Sequence, residues 1–320
     1  MRLLIDTDPG IDDALALLLA LGAPGVRVEA VTTVAGNVDL DLATSNALRI
    51  LAVAAPESPP RVARGAPRPL RRPLVTAAHV HGDDGLGGLH GRREADGRPR
   101  YPAFAVPLEM QDAPDLILEM ARARGRDLTV VALGPLTNLA LALEREPAAL
   151  AGVGRVVVMG GAVAVPGNVT AAAEFNFYVD PEAAAHVLSA GLSLDLVPLD
   201  VTRQVVLREA DLGAAGSAPV AAFVRDLTRH AFAAADADDG GIALHDPLAV
   251  GVALDPSLVS WEALAVQVEC QGRLTRGLSL ADRRARRPRP NCRVAMAVDA
   301  ARFLRLFRER VCPTSSSSAR

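Results

Sequence analysis

Four carboxylates fall within eight residues near the start of the chain, in the run Asp6-Thr7-Asp8-Pro9-Gly10-Ile11-Asp12-Asp13. Anions this close repel one another and raise each other's pKa unless something positive sits among them. No Arg or Lys lies between Asp6 and Asp13. The economical solution is a hard cation held by oxygen ligands. One Asp ahead of a helix is adequately explained as an N-cap; four together are not. Gly10 permits a tight turn and Pro9 stiffens it. Asp12 and Asp13 open the next helix, where its dipole favours anions.

Two later constellations could join this site. His245-Asp246-Pro247 places an acid beside an imidazole just before a helix. Alone, a cap with a solvated neighbour explains it as well as a ligand does. Beside an acid cluster short of ligands it gains weight. Pro166-Gly167-Asn168 and Glu174-Phe175-Asn176 offer amide and carboxylate groups at loop spacing. Such a set suits a polyhydroxylated ligand such as a sugar, although Asx-turns account for each residue taken singly.

Other candidates are weaker. His79, His81 and His90 have no paired spacing on a helix face, so a surface loop explains them better than a transition metal. Asp236, Asp238 and Asp239 begin like a calcium loop, but Gly240 stands where the next ligand is needed and no Glu closes it. Gly85-Leu86-Gly87-Gly88 follows no strand and is not a dinucleotide fingerprint.

The elements that must position these groups alternate between short β-type runs and Ala/Leu-rich helical stretches. Strands are expected at Leu3 to Ile5, Val26 to Val34, Thr129 to Leu133, Val156 to Met159 and Leu194 to Leu199. Helices are expected at Asp12 to Leu21, Leu40 to Ala54 and Asn138 to Leu143. This is the rhythm of βαβ units, and predicts an α/β fold: one domain with a mostly parallel open sheet flanked by helices. Ligands bind such sheets beyond the carboxyl ends of the strands, where the acid cluster lies. Three stretches interrupt the rhythm. Pro56 to Pro73 reads as an irregular surface connection, His79 to Gly91 as a mobile loop, and Ala233 to Leu244 as a small, acidic approach to His245. Residues 1–313 form the expected domain, and the Ser-rich tail from Thr314 to Arg320 is expected to be disordered.

Composition narrows the function. The chain has 320 residues, half of them apolar, and a formal charge of −3. That balance argues against nucleic acid or an anionic membrane as the main partner. All 34 basic residues other than His are Arg, so no mechanism requiring a catalytic Lys is available. The three cysteines, Cys270, Cys292 and Cys312, are far apart and form no C-x-x-C pair, which fits a reducing compartment and no structural zinc. No secretory leader or membrane span is expected, and the location expected is cytoplasmic.

Together these residues resemble the inosine–uridine-preferring nucleoside hydrolase family, from Leu3 to about Val311. The specific signature is Asp6 to Asp13. Val34-Ala35-Gly36-Asn37, His81-Gly82, Leu133-Gly134-Pro135-Leu136-Thr137-Asn138, Met159-Gly160-Gly161, Gly167-Asn168 with Glu174-Phe175-Asn176, and His245-Asp246-Pro247 follow in order. The resemblance implies calcium-dependent hydrolysis of the N-glycosidic bond of ribonucleosides. It places Asp8, Asp13, Asp246 and the Leu133 carbonyl on the ion. Asp8 is implied as the general base that takes a proton from the attacking water, with Asn37 beside that water. Asp12, Asn168, Glu174 and Asn176 are implied for the ribose hydroxyls, and Met159 and His81 for substrate contact, with His81 touching or closing over the base. His245 is implied as proton donor to the leaving base, since imidazole titrates near neutral pH. Asp6 would support the acid loop from behind. Relatives of this kind are homodimers or homotetramers, and an oligomer is expected.

The departures from the family pattern matter. Leu133 stands where some relatives have Thr, which a backbone ligand tolerates. Met159 is separated from Asn168 by the Val- and Pro-containing stretch Ala162 to Pro166, so the resemblance does not define the wall of the base pocket. A haloacid-dehalogenase-like phosphatase also begins with Asp-x-Asp, but it needs a phosphate-binding cation and a different following loop. A non-catalytic nucleoside- or calcium-binding protein would show a lost ligand, and none is missing.

Overall fold

The apolar run at the N-terminus becomes a central strand because both its faces are covered. Leu3 and Ile5 point into one core and Leu4 into the other, and all three are fully buried. This is the period-two alternation of a strand between two helical layers. The computed structural model describes residues 1–104, 107–212, 218–234, 240–284 and 286–312.

The strands are β1 (Arg2–Thr7), β2 (Arg27–Thr33), β3 (Arg61–Arg64), β4 (Leu128–Ala132), β5 (Arg155–Met159), β6 (Leu194–Val197), β7 (Val206–Leu207), β8 (Ile242–Ala243), β9 (Val259–Val268), β10 (Ser279–Asp282) and β11 (Cys292–Val298). The helices are α1 (Ile11–Leu21), α2 (Leu40–Ala54), α3 (Ala78–His81), α4 (Ala113–Arg124), α5 (Thr137–Arg145), α6 (Pro147–Ala151), α7 (Phe175–Val179), α8 (Pro181–Ser189), α9 (Leu199–Thr202), α10 (Pro219–Ala234), α11 (His245–Leu254) and α12 (Ala300–Val311).

Among the described residues, nine strands form one sheet in the order β10-β9-β11-β6-β5-β4-β1-β2-β3. From β3 to β11 every neighbouring pair is parallel, and β9 and β10 add an antiparallel edge. Helices α1, α10, α11 and α12 pack one face, and α4, α5 and α8 the other. The chain leaves β1 toward β2 and β3, then returns to lay β4 on β1's other side. The crevice between the ends of β1 and β4 is therefore the topological switch point, where such sheets bind ligands.

The structure differs from the sequence reading in three places. His79 to Gly91 is a strap with local structure of its own: α3 occupies its start, a short 3₁₀ turn covers Leu89–Gly91, and Leu86 and Leu89 are buried. Its order comes from side chains rather than periodicity, because the Asp84 carboxylate accepts the backbone N–H groups of Leu86, Gly88 and His90. Pro56 to Pro73 contains the edge strand β3. The antiparallel edge and α12 carry no signal that the βαβ rhythm could supply. Elsewhere shifts are small: α2 keeps its expected bounds, α1 begins at Ile11, β4 ends at Ala132, and β6 ends at Val197. Asp236, Asp238, Asp239 and the Ser-rich tail lie outside the described residues.

Candidate active site

Strand β1 delivers its acids in alternation. Asp6 stays within the sheet, where its Oδ1 accepts from Thr32 Oγ1 at 2.6 Å and from Asn138 Nδ2 at 2.8 Å. Burial pushes its carboxyl up to about 7. Asn138 also donates to the Thr33 carbonyl and accepts from Ala66 N–H, joining three segments.

Asp8 lies just past β1 and is fully buried. Its Oδ2 accepts from the Asn37 backbone N–H at 2.6 Å. Its Oδ1 has no hydrogen-bond partner. Two glycines make room for it. A Cβ on Gly36 would lie 2.1 Å from Asp8 Oδ2, and one on Gly134 would lie 2.4 Å from Asp8 Oδ1. Gly134→Ala should therefore displace the carboxylate. Overpacking of this kind costs about 1–3 kcal/mol, so we expect a lower melting temperature together with near-complete loss of activity. A melting curve and a turnover assay on the same preparation check both.

Asp13 is equally buried. It accepts from Thr7 Oγ1, from Gly10 N–H at 2.9 Å and from Asn37 Nδ2 at 3.0 Å. The Gly10 bond is an ordinary helix-start contact. The neighbours are not ordinary: carboxylate oxygens of Asp12, Asp13 and Asp246 lie within 4.8 Å of one another. Asp8 is coupled to Asp13 and Asp12 by repulsion, and Asp246 to Asp12, Asp13 and Asp8. Burial, then mutual repulsion, holds Asp8 and Asp246 far above the carboxylate range, and Asp12 and Asp13 are raised mainly by burial. Among the described residues no Arg bonds to any of the four.

An orphaned buried oxygen and four acids without a counter-ion fit a hard cation. The Leu133 carbonyl, one residue past β4, faces the same crevice and accepts from Asn176 Nδ2 at 2.6 Å. A carbonyl oxygen has a second lone pair to offer.

Above the acids opens a cavity of about 320 Å³. Asp12, Asn37, Leu133 and Asp246 form its acidic end. Asn168, Glu174 and Asn176 line it from the loop after β5 and from α7. Met159, His81 and His245 complete the set expected from sequence, while Asp8 and Asp13 lie beneath its floor. Glu174 caps α7, taking N–H groups from Asn176, Phe177 and Gly161. Burial nevertheless holds its carboxyl above the ordinary value. Asn168 uses its Oδ1 on Phe175 N–H. Asn176 spends its Nδ2 on the Leu133 and Met159 carbonyls. These loops are thus tied together by their own hydrogen bonds.

The imidazoles are fixed as well. His81 Nδ1 accepts from the Ile11 backbone N–H at 3.1 Å. A ring that accepts there is neutral with its proton on Nε2, and burial pushes its pKa down to about 4. His245 Nδ1 pairs with Thr202 Oγ1 at 2.7 Å, and burial lowers its pKa while Asp12 acts in the opposite direction. Thr202 had no sequence signal, since a lone Thr after a strand is unremarkable. The apolar wall of Val80, Phe175, Ala231 and Ile242 was also missed, because apolar cavity residues read as core. The Ala162 to Pro166 stretch is pinned: Asp200 accepts from Val163 and Ala164 N–H, and Arg203 donates to the Pro166 and Gly167 carbonyls.

A doubly wound sheet with acids at its switch point, beside a cavity that is polar at that end and walled by apolar residues, fits an N-glycosyl hydrolase. The chain belongs to the inosine-uridine preferring nucleoside hydrolase family, whose sequence profile matches residues 3–305. It is 36% identical to a probable uridine nucleosidase of Arabidopsis thaliana, over 97% of each chain. It is 37% identical to the pyrimidine-specific ribonucleoside hydrolase RihA of Salmonella schwarzengrund, covering 97% of this chain and 98% of that one. Among solved structures it matches a purine-preferring ribonucleoside hydrolase from Gardnerella vaginalis with a TM-score of 0.88 and 33% identity, over 98% of both chains. Among the described residues, no helix is long and apolar enough to cross a membrane.

Proposed function

We propose that this enzyme cleaves ribonucleosides to free base and ribose, with one calcium ion held by Asp8, Asp13, Asp246 and the Leu133 carbonyl. The observation that carries the reading is the unpartnered, fully buried Asp8 Oδ1 amid three further acids beneath a sugar-sized cavity. All-oxygen donors favour calcium over softer metals. When bound, the ion would acidify an attacking water and grip vicinal ribose hydroxyls.

The protein groups divide the remaining work. Asp8 takes the proton of the attacking water, and Asn37 beside it orients that water. Asp12, Asn168, Glu174 and Asn176 bind the ribose hydroxyls and fix the ring. Their oxygens stabilise the positive charge that grows on the sugar as the base departs. Met159 and His81 contact the substrate, and His245 protonates the leaving base. Asp12 stands close enough to Asp13 and Asp246 to share the ion's field while it binds ribose. A homodimer or homotetramer in the cytoplasm is the accompanying expectation. The relatives' names include pyrimidine-specific and purine-preferring enzymes at similar identity, so identity alone does not select the base.

The test is ribose release from inosine, uridine, cytidine, adenosine and guanosine without phosphate, before and after prolonged treatment with a calcium chelator. Release from at least one nucleoside, lost on chelation and restored by calcium, is expected. No release by metal-replete enzyme overturns the proposal. In the same assay His245→Ala should slow natural nucleosides by about 10²–10⁴. It should slow p-nitrophenyl riboside, whose leaving group needs no proton, far less. Equal losses would remove His245 as the acid.

A further inference from the structure

Asn46, on α2, is fully buried and belongs to none of the groups discussed so far. Its Nδ2 donates to the Pro9 carbonyl and to the Asp84 carbonyl, each at 2.9 Å. Both amide hydrogens are therefore used. The amide cannot be reversed, because an oxygen facing two carbonyls would repel both. Its Oδ1 lies 2.7 Å from His90 Nε2, so the imidazole must be the donor. One side chain thus satisfies three groups from two distant segments.

Those segments have different duties. Pro9 is in the turn that carries Asp8, Asp12 and Asp13. Asp84 and His90 are in the strap whose start brings Ala77, His79, Val80 and His81 to the cavity. The Asp84 carboxylate gathers the backbone from Leu86 to His90 into one turn. Gly85 sits on the junction at φ +76°, where a Cβ would come within 2.9 Å of Asn46 Nδ2 and 3.2 Å of the Pro9 carbonyl. The strap thus meets the acid turn twice: at His81 Nδ1 with Ile11 N–H, and through Asn46.

We propose that Asn46, backed by His90, is the positioning residue that latches this strap to the acid turn and so holds one wall of the nucleoside cavity in place. The proposal rests on reading the cavity as the nucleoside site. It predicts where the damage falls when the latch is cut. Among the described residues, the metal candidates and the ribose loop make no hydrogen bond to Asn46 or His90. The loss should therefore appear in substrate binding more than in the chemical step.

The experiment compares Asn46→Ala, His90→Ala and His90→Gln with the parent enzyme. Gln keeps an N–H that can reach Asn46 Oδ1, and Ala does not. For the two Ala variants a KM increase of about tenfold or more is expected, with kcat within about threefold. His90→Gln should stay near the parent. The second readout is limited trypsin cleavage after the exposed Arg93, which should accelerate in both Ala variants and not in His90→Gln. Should Asn46→Ala fail to fold, the two His90 variants carry the test alone. Parental KM and parental cleavage in His90→Ala, measured below its melting temperature, overturn the latch. A lowered melting temperature with both readouts unchanged does the same. If the parent itself releases no ribose, the nucleoside reading fails, and the cleavage rates still decide whether the strap is latched.

Discussion

Asp8→Asn is expected to abolish turnover, by about 10³-fold or more, while leaving the fold intact. Asn keeps a carbonyl oxygen that can accept the Asn37 N–H now taken by Asp8 Oδ2. It is nearly isosteric, so the close approach of Gly36 and Gly134 is undisturbed. What it loses is the negative charge and the basic oxygen. It also removes one of four mutually repelling carboxylates, so the metal-free variant should melt no lower than the metal-free parent. That pairing is diagnostic, because a purely structural role would cost stability along with activity. Steady-state rates and melting curves on one preparation decide it. A rate within tenfold of the parent would exclude Asp8 as the base.

The second large effect is the response of stability to pH with and without the cation. In the metal-free protein, burial holds Asp6, Asp8, Asp12, Asp13 and Asp246 above the ordinary carboxylate range, Asp6 to about 7. The folded state then binds more protons than the unfolded chain above pH 4. Stability must fall as pH rises toward those raised values, at about 1.4 kcal/mol per pH unit for each proton involved. His81 and His245 act oppositely. Their lowered values leave the folded state with fewer protons than the unfolded chain, but only below the ordinary histidine value near 6.5. The histidine contribution fades as pH rises above that value, and toward pH 8 the acids dominate. Calcium reverses their sign by stabilising the ionised forms. The gain in melting temperature on adding calcium should therefore be larger at pH 8 than at pH 6.5, and the metal-free protein should melt lower at pH 8. Equal calcium shifts at both pH values, or a metal-free protein that gains stability with pH, would contradict the cation site.

Much of this was legible in the residues. The acid run and the strand before it are local features: an apolar tripeptide, a Pro-Gly turn and four acids declare themselves without partners. Helix α2 kept its expected ends because Asp39 caps it, accepting from Leu42 N–H. The local structure of the strap was not legible, for the converse reason. Its order depends on Asp84, Asn46 and Ile11, contacts that no periodicity announces, so Gly, His and Asp in sequence looked like solvated loop. Thr202 and the apolar cavity wall were invisible because their function exists only opposite His245 and the cavity. The resemblance supplied residue roles that spacing alone could not, since Leu133, Glu174 and Asp246 converge only once the sheet is wound.

That winding has a consequence for how the enzyme comes into being. The acids of β1 and α1 come well before their expected partners along the chain: Leu133 requires β4, and Asp246 requires α11, packed against α1 in the core shared by both helices. A chain emerging in that order therefore carries a cluster of unmatched charge until α11 has been made. Closing such distant contacts is slow, and a short N-terminal fragment gains nothing from the cation. If the proposed calcium site is occupied, ion capture would be the closing event of folding, and during refolding added calcium is expected to trap the finished protein without accelerating its early steps.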